Sequence, residues 1–97
     1  MKQPTLELIA PILTVLRAHP RLREVRPTAF HLDGRDFLHF HEEVNGVFAD
    51  ARLSRGFVRM PVSSESEQSE FLARIDQVLS SLEAHRSPRK RSRRPRG

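Results

Sequence analysis

The sequence predicts an α+β fold, a two-layer sandwich in which two helices cover one face of an antiparallel sheet of three to four strands. Apolar residues recur at helical spacing over residues 4–18 and again over residues 65–83. Between these segments, short runs of alternating apolar and polar residues are separated by glycine-containing turns. The order helix, strands, helix is most simply satisfied when both helices lie on the same face of the sheet.

The first helix is predicted over residues 4–18, with Thr5 as the residue that caps its start. Pro11 leaves two alternatives, because an interior proline removes a backbone hydrogen bond. Either the helix is kinked at Pro11, or the main helix begins near Ala10 and holds the proline in its first turn. The second helix is predicted to begin at Ser64, which has capping-box spacing to Glu67.

The strongest hairpin signal is Asp33-Gly34, which lies between two apolar runs in the stretch FHLDGRDFLHFH, residues 30–41. A two-residue primed turn there pairs Phe30 with Phe37. One face of the hairpin then carries four ring side chains: Phe30, Phe37, His39 and His41. In this register His31 lies on the opposite face. Further strands are predicted at residues 22–25, 47–53 and 57–62, the first as a short edge strand.

The charge of the chain is unevenly distributed. The last twelve residues contain seven basic residues and no acidic one: Arg86, Arg89, Lys90, Arg91, Arg93, Arg94 and Arg96. Residues 1–85 hold ten basic against twelve acidic residues, a net charge of −2. We therefore predict a single small α+β domain at residues 1–85 and a disordered arginine-rich tail at residues 86–97.

The tail favours a binding protein whose partner is nucleic acid or another polyanion. A run of seven positive charges can contact phosphates without sequence preference. RNA, an acidic protein surface and an anionic lipid are alternative partners of the same chemistry. The tail contains no aromatic residue, so base stacking is not expected. The alternative interpretation is a solvated tail without a role of its own.

His39 and His41 are candidate metal ligands, because residues two apart on a strand point to the same face. With His31, Asp50 or Glu43 as a third ligand, the pair could bind zinc or iron. The alternative is a structural role, in which the two histidines are hydrogen-bonded to nearby carboxylates. No cofactor can be identified from the sequence, and the absence of cysteine excludes thiolate sites.

Catalysis is the weaker alternative. His39 and His41 with Asp50 are candidates for general acid–base work, and Arg35 or Arg52 could hold an anion. The chain has no recognisable nucleophile motif and no glycine-rich phosphate loop. The sequence therefore favours a binding or accessory protein over an enzyme.

Three segments resemble the luciferase-domain family of small proteins. They are GRDFLHFH at residues 34–41, ADARL at residues 49–53 and GFV at residues 56–58, ahead of the C-terminal helix. The resemblance covers about residues 22–82 and implies the fold more than any activity. The family usually has a helical segment with a further histidine before the last strand, where this chain has only Ser54-Arg55.

The longest apolar run, residues 8–16, is interrupted by Pro11 and Thr14 and is shorter than the about 20 residues that span a bilayer. The first residues also lack the charge pattern of a signal peptide. We therefore expect a cytoplasmic protein. The aromatic residues of the hairpin add the prediction of a homodimer formed through the open face of the sheet.

Overall fold

The computed structural model describes the backbone of residues 1–53 and 55–92, with side chains as far as residue 82. The elements, in chain order, are α1 (Gln3–Ala18), β1 (Leu22–Arg26), β2 (Ala29–Leu32), β3 (Arg35–Glu43), β4 (Gly46–Arg52), β5 (Phe57–Pro61) and α2 (Glu65–Ser92). The predicted tail, residues 86–97, lies outside the residues whose side chains are described. Within the described residues, no helix combines the length and the apolar character needed to cross a membrane.

The sheet is an antiparallel meander in which the strands follow one another in the order β1-β2-β3-β4-β5. The predicted edge strand is present as β1 and makes the sheet five-stranded. α1 packs against β1, α2 packs against β5, and the two helices contact each other. The α+β prediction is confirmed, and one face of the sheet is left without a helix.

The face that the helices cover is apolar. Phe30, Leu38 and Ala51 are neighbours across three strands, and each is almost completely buried. Both helices contribute to the same core with residues spaced by three or four positions: Ile9, Ile12, Leu13, Leu16, Phe71, Ile75 and Leu79. Burial of such side chains supplies most of the favourable free energy of folding.

The Asp33-Gly34 turn forms as predicted. Asp33 has φ 55° and Gly34 has φ 81°, and positive values at both central positions define the primed turn that suits a two-residue hairpin. Leu32 pairs with Arg35 across the turn. The local twist of the hairpin therefore follows from the dipeptide itself.

The predicted register of this hairpin holds for its first two pairs, Leu32 with Arg35 and His31 with Asp36, and is wrong beyond them. Phe30 pairs with Leu38 instead of Phe37, because the register shifts between Phe30 and His31. Phe37 is the extra residue of a β-bulge, and both Phe37 and Leu38 are buried in the core. The shift places His31 on the same face as His39, contrary to the expectation that it lies opposite.

The start of α1 differs from the prediction, whereas the start of α2 agrees with it. α1 runs through Pro11 from Gln3, so a start near Ala10 is wrong. Lys2 is its N-cap residue, while Thr5 lies inside the helix and donates its Oγ1 hydrogen to Glu42 Oε2 at 2.7 Å. At α2 the capping box is confirmed. The Glu67 N–H donates to Ser64 Oγ at 3.1 Å, and the Ser64 N–H donates to Glu67 Oε1 at 3.0 Å.

Candidate functional site

One row of residues crosses all five strands on the open face of the sheet. Its members are directly opposite one another in the strand ladders, in the order Arg26, Ala29, His39, Asp50 and Arg59. Side chains that are opposite in this way have Cβ atoms about 5 Å apart. The strand register therefore brings an imidazole and a carboxylate together and places an arginine at each end of the row.

His41 completes a cluster with two members of this row. His39 Nδ1 lies 3.1 Å from His41 Nε2, and Asp50 Oδ2 lies 2.9 Å from the same His41 nitrogen. The potential ligand atoms of the three residues all lie within 4.8 Å of one another. The structure thus brings together the three residues that the sequence identified as candidate metal ligands.

Arg59 holds the carboxylate of this cluster. Its Nε donates to Asp50 Oδ1 at 2.9 Å and its Nη2 to Asp50 Oδ2 at 3.2 Å, while its Nη1 donates to Glu43 Oε2 at 2.9 Å. These hydrogen bonds lower the pKa of Asp50 below its ordinary value. The same contacts raise the pKa of Arg59. Asp50 is therefore an oriented, fully ionised carboxylate at neutral pH.

His39 favours its neutral form. Partial burial lowers its pKa, and the neighbouring charge of His41 acts in the same direction. Its ring lies 5.4 Å from the ring of Phe57 and meets the His41 ring edge to face at 4.7 Å. A neutral imidazole keeps the lone pair that metal coordination requires.

The other candidate ligands are engaged elsewhere. His31 Nε2 lies 2.8 Å from Asp36 Oδ1, so this histidine has its own carboxylate partner. Glu43 is bound to Arg59 and is not a member of the cluster. Of the three alternatives for a third ligand, Asp50 alone joins His39 and His41.

The two candidate anion-binding arginines lie in different places. Arg35 pairs with Leu32, on the side of the hairpin that faces the core. Arg52 follows Asp50 by two positions on β4, and its Nε donates to the backbone oxygen of Asp36 at 3.1 Å. The guanidinium carbon of Arg52 is 4.7 Å from the centre of the Phe57 ring. Of these two arginines, Arg52 borders the cluster and Arg35 does not.

Sequence reasoning missed Arg59, Arg26 and Phe57, which surround the cluster on the neighbouring strands. Phe57 and Arg59 lie in the predicted strand at residues 57–62, whereas Arg26 falls just outside the predicted strand at residues 22–25. The sequence could not pair these residues with His39 or Asp50, because the pairing depends on the loops between the strands.

Compared with protein-family models, with curated proteins and with solved structures, this chain gives no match in any of the three. The resemblance to the luciferase-domain family, the cytoplasmic location and the homodimer therefore stay predictions.

Proposed function

We propose that this protein binds a divalent transition-metal ion, such as zinc or iron(II), through His39, His41 and Asp50. One observation carries the proposal. Both Asp50 Oδ2 and His39 Nδ1 approach a single atom, Nε2 of His41. The potential ligand atoms of the three residues all lie within 4.8 Å of one another, and two histidines with one carboxylate form a ligand set used for zinc and iron.

The same observation disfavours a proton relay. In a relay of the catalytic-triad type, the histidine meets its carboxylate with one ring nitrogen and its second partner with the other. Here both partners of His41 meet the same nitrogen, which carries at most one hydrogen. That hydrogen can form a well-aligned bond to only one of the two partners. A shared cation satisfies all three groups at once.

The spacing of the ligand atoms also supports the proposal. Two atoms that each bind a metal at about 2.1 Å are roughly 3.0–3.4 Å apart when the angle at the metal is about 90–110°. The separations of 3.1 Å and 2.9 Å at His41 Nε2 are close to this range.

The surroundings fit a binding site with open positions. Arg59 and Glu43 form an outer layer that orients the Asp50 carboxylate, as outer-layer partners do in metal sites. The face carries no helix, so the side of the ion away from the sheet is accessible. Three protein ligands leave at least one position for water or for a ligand molecule.

The test is a thermal melt of untagged full-length protein, stripped with a chelator, with and without zinc, iron(II) or manganese. At a free metal concentration of about 100 Kd the stabilisation is about 2.7 kcal/mol, or roughly 10–20 °C for a domain of this size. We expect His41→Ala to lose this shift. His31→Ala is the matched control on the same face and should keep it. The absence of a shift in the natural protein, or an equal shift in both variants, contradicts the proposal.

A second candidate function is the binding of nucleic acid or another polyanion by the basic residues of the tail. The observation that favours it is the concentration of seven basic residues in residues 86–97, beside a body with a net charge of −2. Fluorescence anisotropy with a single-stranded oligonucleotide, at about 50 and 200 mM salt, tests it. Affinity should fall steeply with salt and disappear when residues 86–97 are deleted. Binding that survives the deletion contradicts this function.

A further inference from the structure

We infer that the metal site binds the oxyanion group of a small molecule, a phosphate or a carboxylate, which Arg26 and Arg52 hold beside His39. This inference rests on the proposed metal site and names the class of ligand that would fill its open position. It depends on the placement of the two arginines, on the charge around the cluster, and on the fact that neither arginine pairs with a carboxylate among residues 1–53 and 55–82.

Arg26 stands at one end of the cross-strand row that contains His39. Only Ala29 lies between the two residues in the ladder. Because alanine contributes a single methyl group, no long side chain of β2 separates the Arg26 guanidinium from the His39 imidazole.

Arg52 approaches the cluster from β4. Phe57 links it to His39, because the Arg52 guanidinium lies 4.7 Å from the Phe57 ring centre and the His39 ring lies 5.4 Å from it. The Nε of Arg52 is used by the backbone oxygen of Asp36. The stacking and the backbone hydrogen bond fix the guanidinium, while its Nη groups can donate to a ligand. Guanidinium groups bind carboxylates and phosphates with two parallel hydrogen bonds.

Neither of these arginines forms an ion pair within residues 1–53 and 55–82. Arg59, in contrast, is neutralised by Asp50 and Glu43. The nearby carboxylate of Asp36 is paired with His31. A divalent ion bound at the cluster would therefore face two uncompensated guanidinium groups, and this arrangement attracts an anion.

The combination of a metal ion and arginines is well suited to an oxyanion. One oxygen can occupy the open position on the metal, and another can accept hydrogen bonds from a guanidinium. A neutral ligand would gain nothing from the charges of Arg26 and Arg52. The aromatic ring of Phe57, 43% exposed, offers an apolar contact for the rest of such a molecule.

The experiment is calorimetric titration of zinc-loaded full-length protein, dialysed free of excess zinc, with inorganic phosphate and, separately, with acetate. Zinc content is measured first on each sample. We expect binding of at least one anion, weakened about tenfold in Arg52→Gln and in Arg26→Gln, a loss of about 1.4 kcal/mol each. Arg74→Gln, on α2, is the control and should bind as the natural protein does. The anion that binds more tightly identifies the ligand as a phosphate or a carboxylate.

Two outcomes overturn the inference separately from the metal proposal. If zinc is retained but neither anion binds, or if both arginine variants bind normally, the oxyanion inference is wrong and the metal site stands. If no zinc is retained, the metal proposal fails and the inference fails with it.

Discussion

The two faces of the sheet are built from the same strands and have opposite roles. On β3 and β4, Phe40 and Ala49 point into the core, while His39 and Asp50, their neighbours along the chain, point to the open face. The covered face is apolar and contains the residues that stabilise the fold. The open face carries the three histidines of the strands, the Asp50 carboxylate and the arginines Arg26, Arg52 and Arg59. Alternation along a strand thus allows one segment to supply both stability and chemistry, and substitutions on one face should leave the other largely intact.

Substitution of two phenylalanines, one on each face, should give the largest difference in the free energy of unfolding. Phe30 is 1% exposed and Phe57 is 43% exposed. Phe30→Ala should lower the free energy of unfolding by about 3–5 kcal/mol, since it removes a buried ring and leaves a cavity. Phe57→Ala should lower the free energy of unfolding by far less, because the Phe57 ring is already partly exposed to water. Urea denaturation of the metal-free proteins measures both, and equal losses would show that the open face also carries the fold.

Substitutions of two adjacent residues of β4 should give a smaller difference in the free energy of unfolding. Ala49 is completely buried, and its neighbour Phe48 lies on the open face near Arg59. Ala49→Leu should cost about 1–3 kcal/mol, because the added atoms have no space between the sheet and the helices. Phe48→Leu should change stability by less than about 1 kcal/mol, as surface substitutions usually do. If Ala49→Leu were neutral in urea denaturation, the packing of the covered face would be looser than we describe.

The sequence was sufficient for the architecture, because its signals are local. A primed turn requires positive φ at both central residues, and Asp33-Gly34 is a dipeptide that adopts such values readily. Ser64 and Glu67 specify the start of α2 through their capping box. The β-bulge at Phe37 could not be predicted. Phe37 and Leu38 are both apolar, so either could face the core and alternation did not decide between them. That ambiguity also put His31 on the wrong face.

The site could be predicted only in part. His39 and His41 were identified because they are two positions apart on a predicted strand, and Asp50 because it is a carboxylate on the next predicted strand. Arg59 was not identified as the partner of Asp50. Their pairing depends on the connection between β4 and β5, where Gly56 indicates a turn but does not specify the strand register. Arg26 was missed because it lies one residue beyond the predicted strand at residues 22–25, and because the register of β1 and β2 shifts beside it.

The smallest expected effect concerns the pH dependence of stability and arises from His39 on the open face. The pKa of His39 lies below its ordinary value of 6.5 in the folded protein. As the pH falls through about 6.5, the unfolded chain takes up this proton before the folded one does, so stability decreases. Asp50 adds nothing in this range, because its lowered pKa keeps it ionised.

His39→Gln should therefore reduce the loss of stability between pH 7.5 and pH 5.5 in metal-free protein, by less than either core effect above. Urea denaturation at both pH values, with natural protein and variant side by side, isolates His39 from the four other histidines. Phe57→Ala is an informative companion, since it exposes His39 to water and should bring the pKa of His39 back toward 6.5. If His39→Gln kept the full pH dependence, the titrating group would lie elsewhere, and the neutral imidazole that favours metal binding would lose its support.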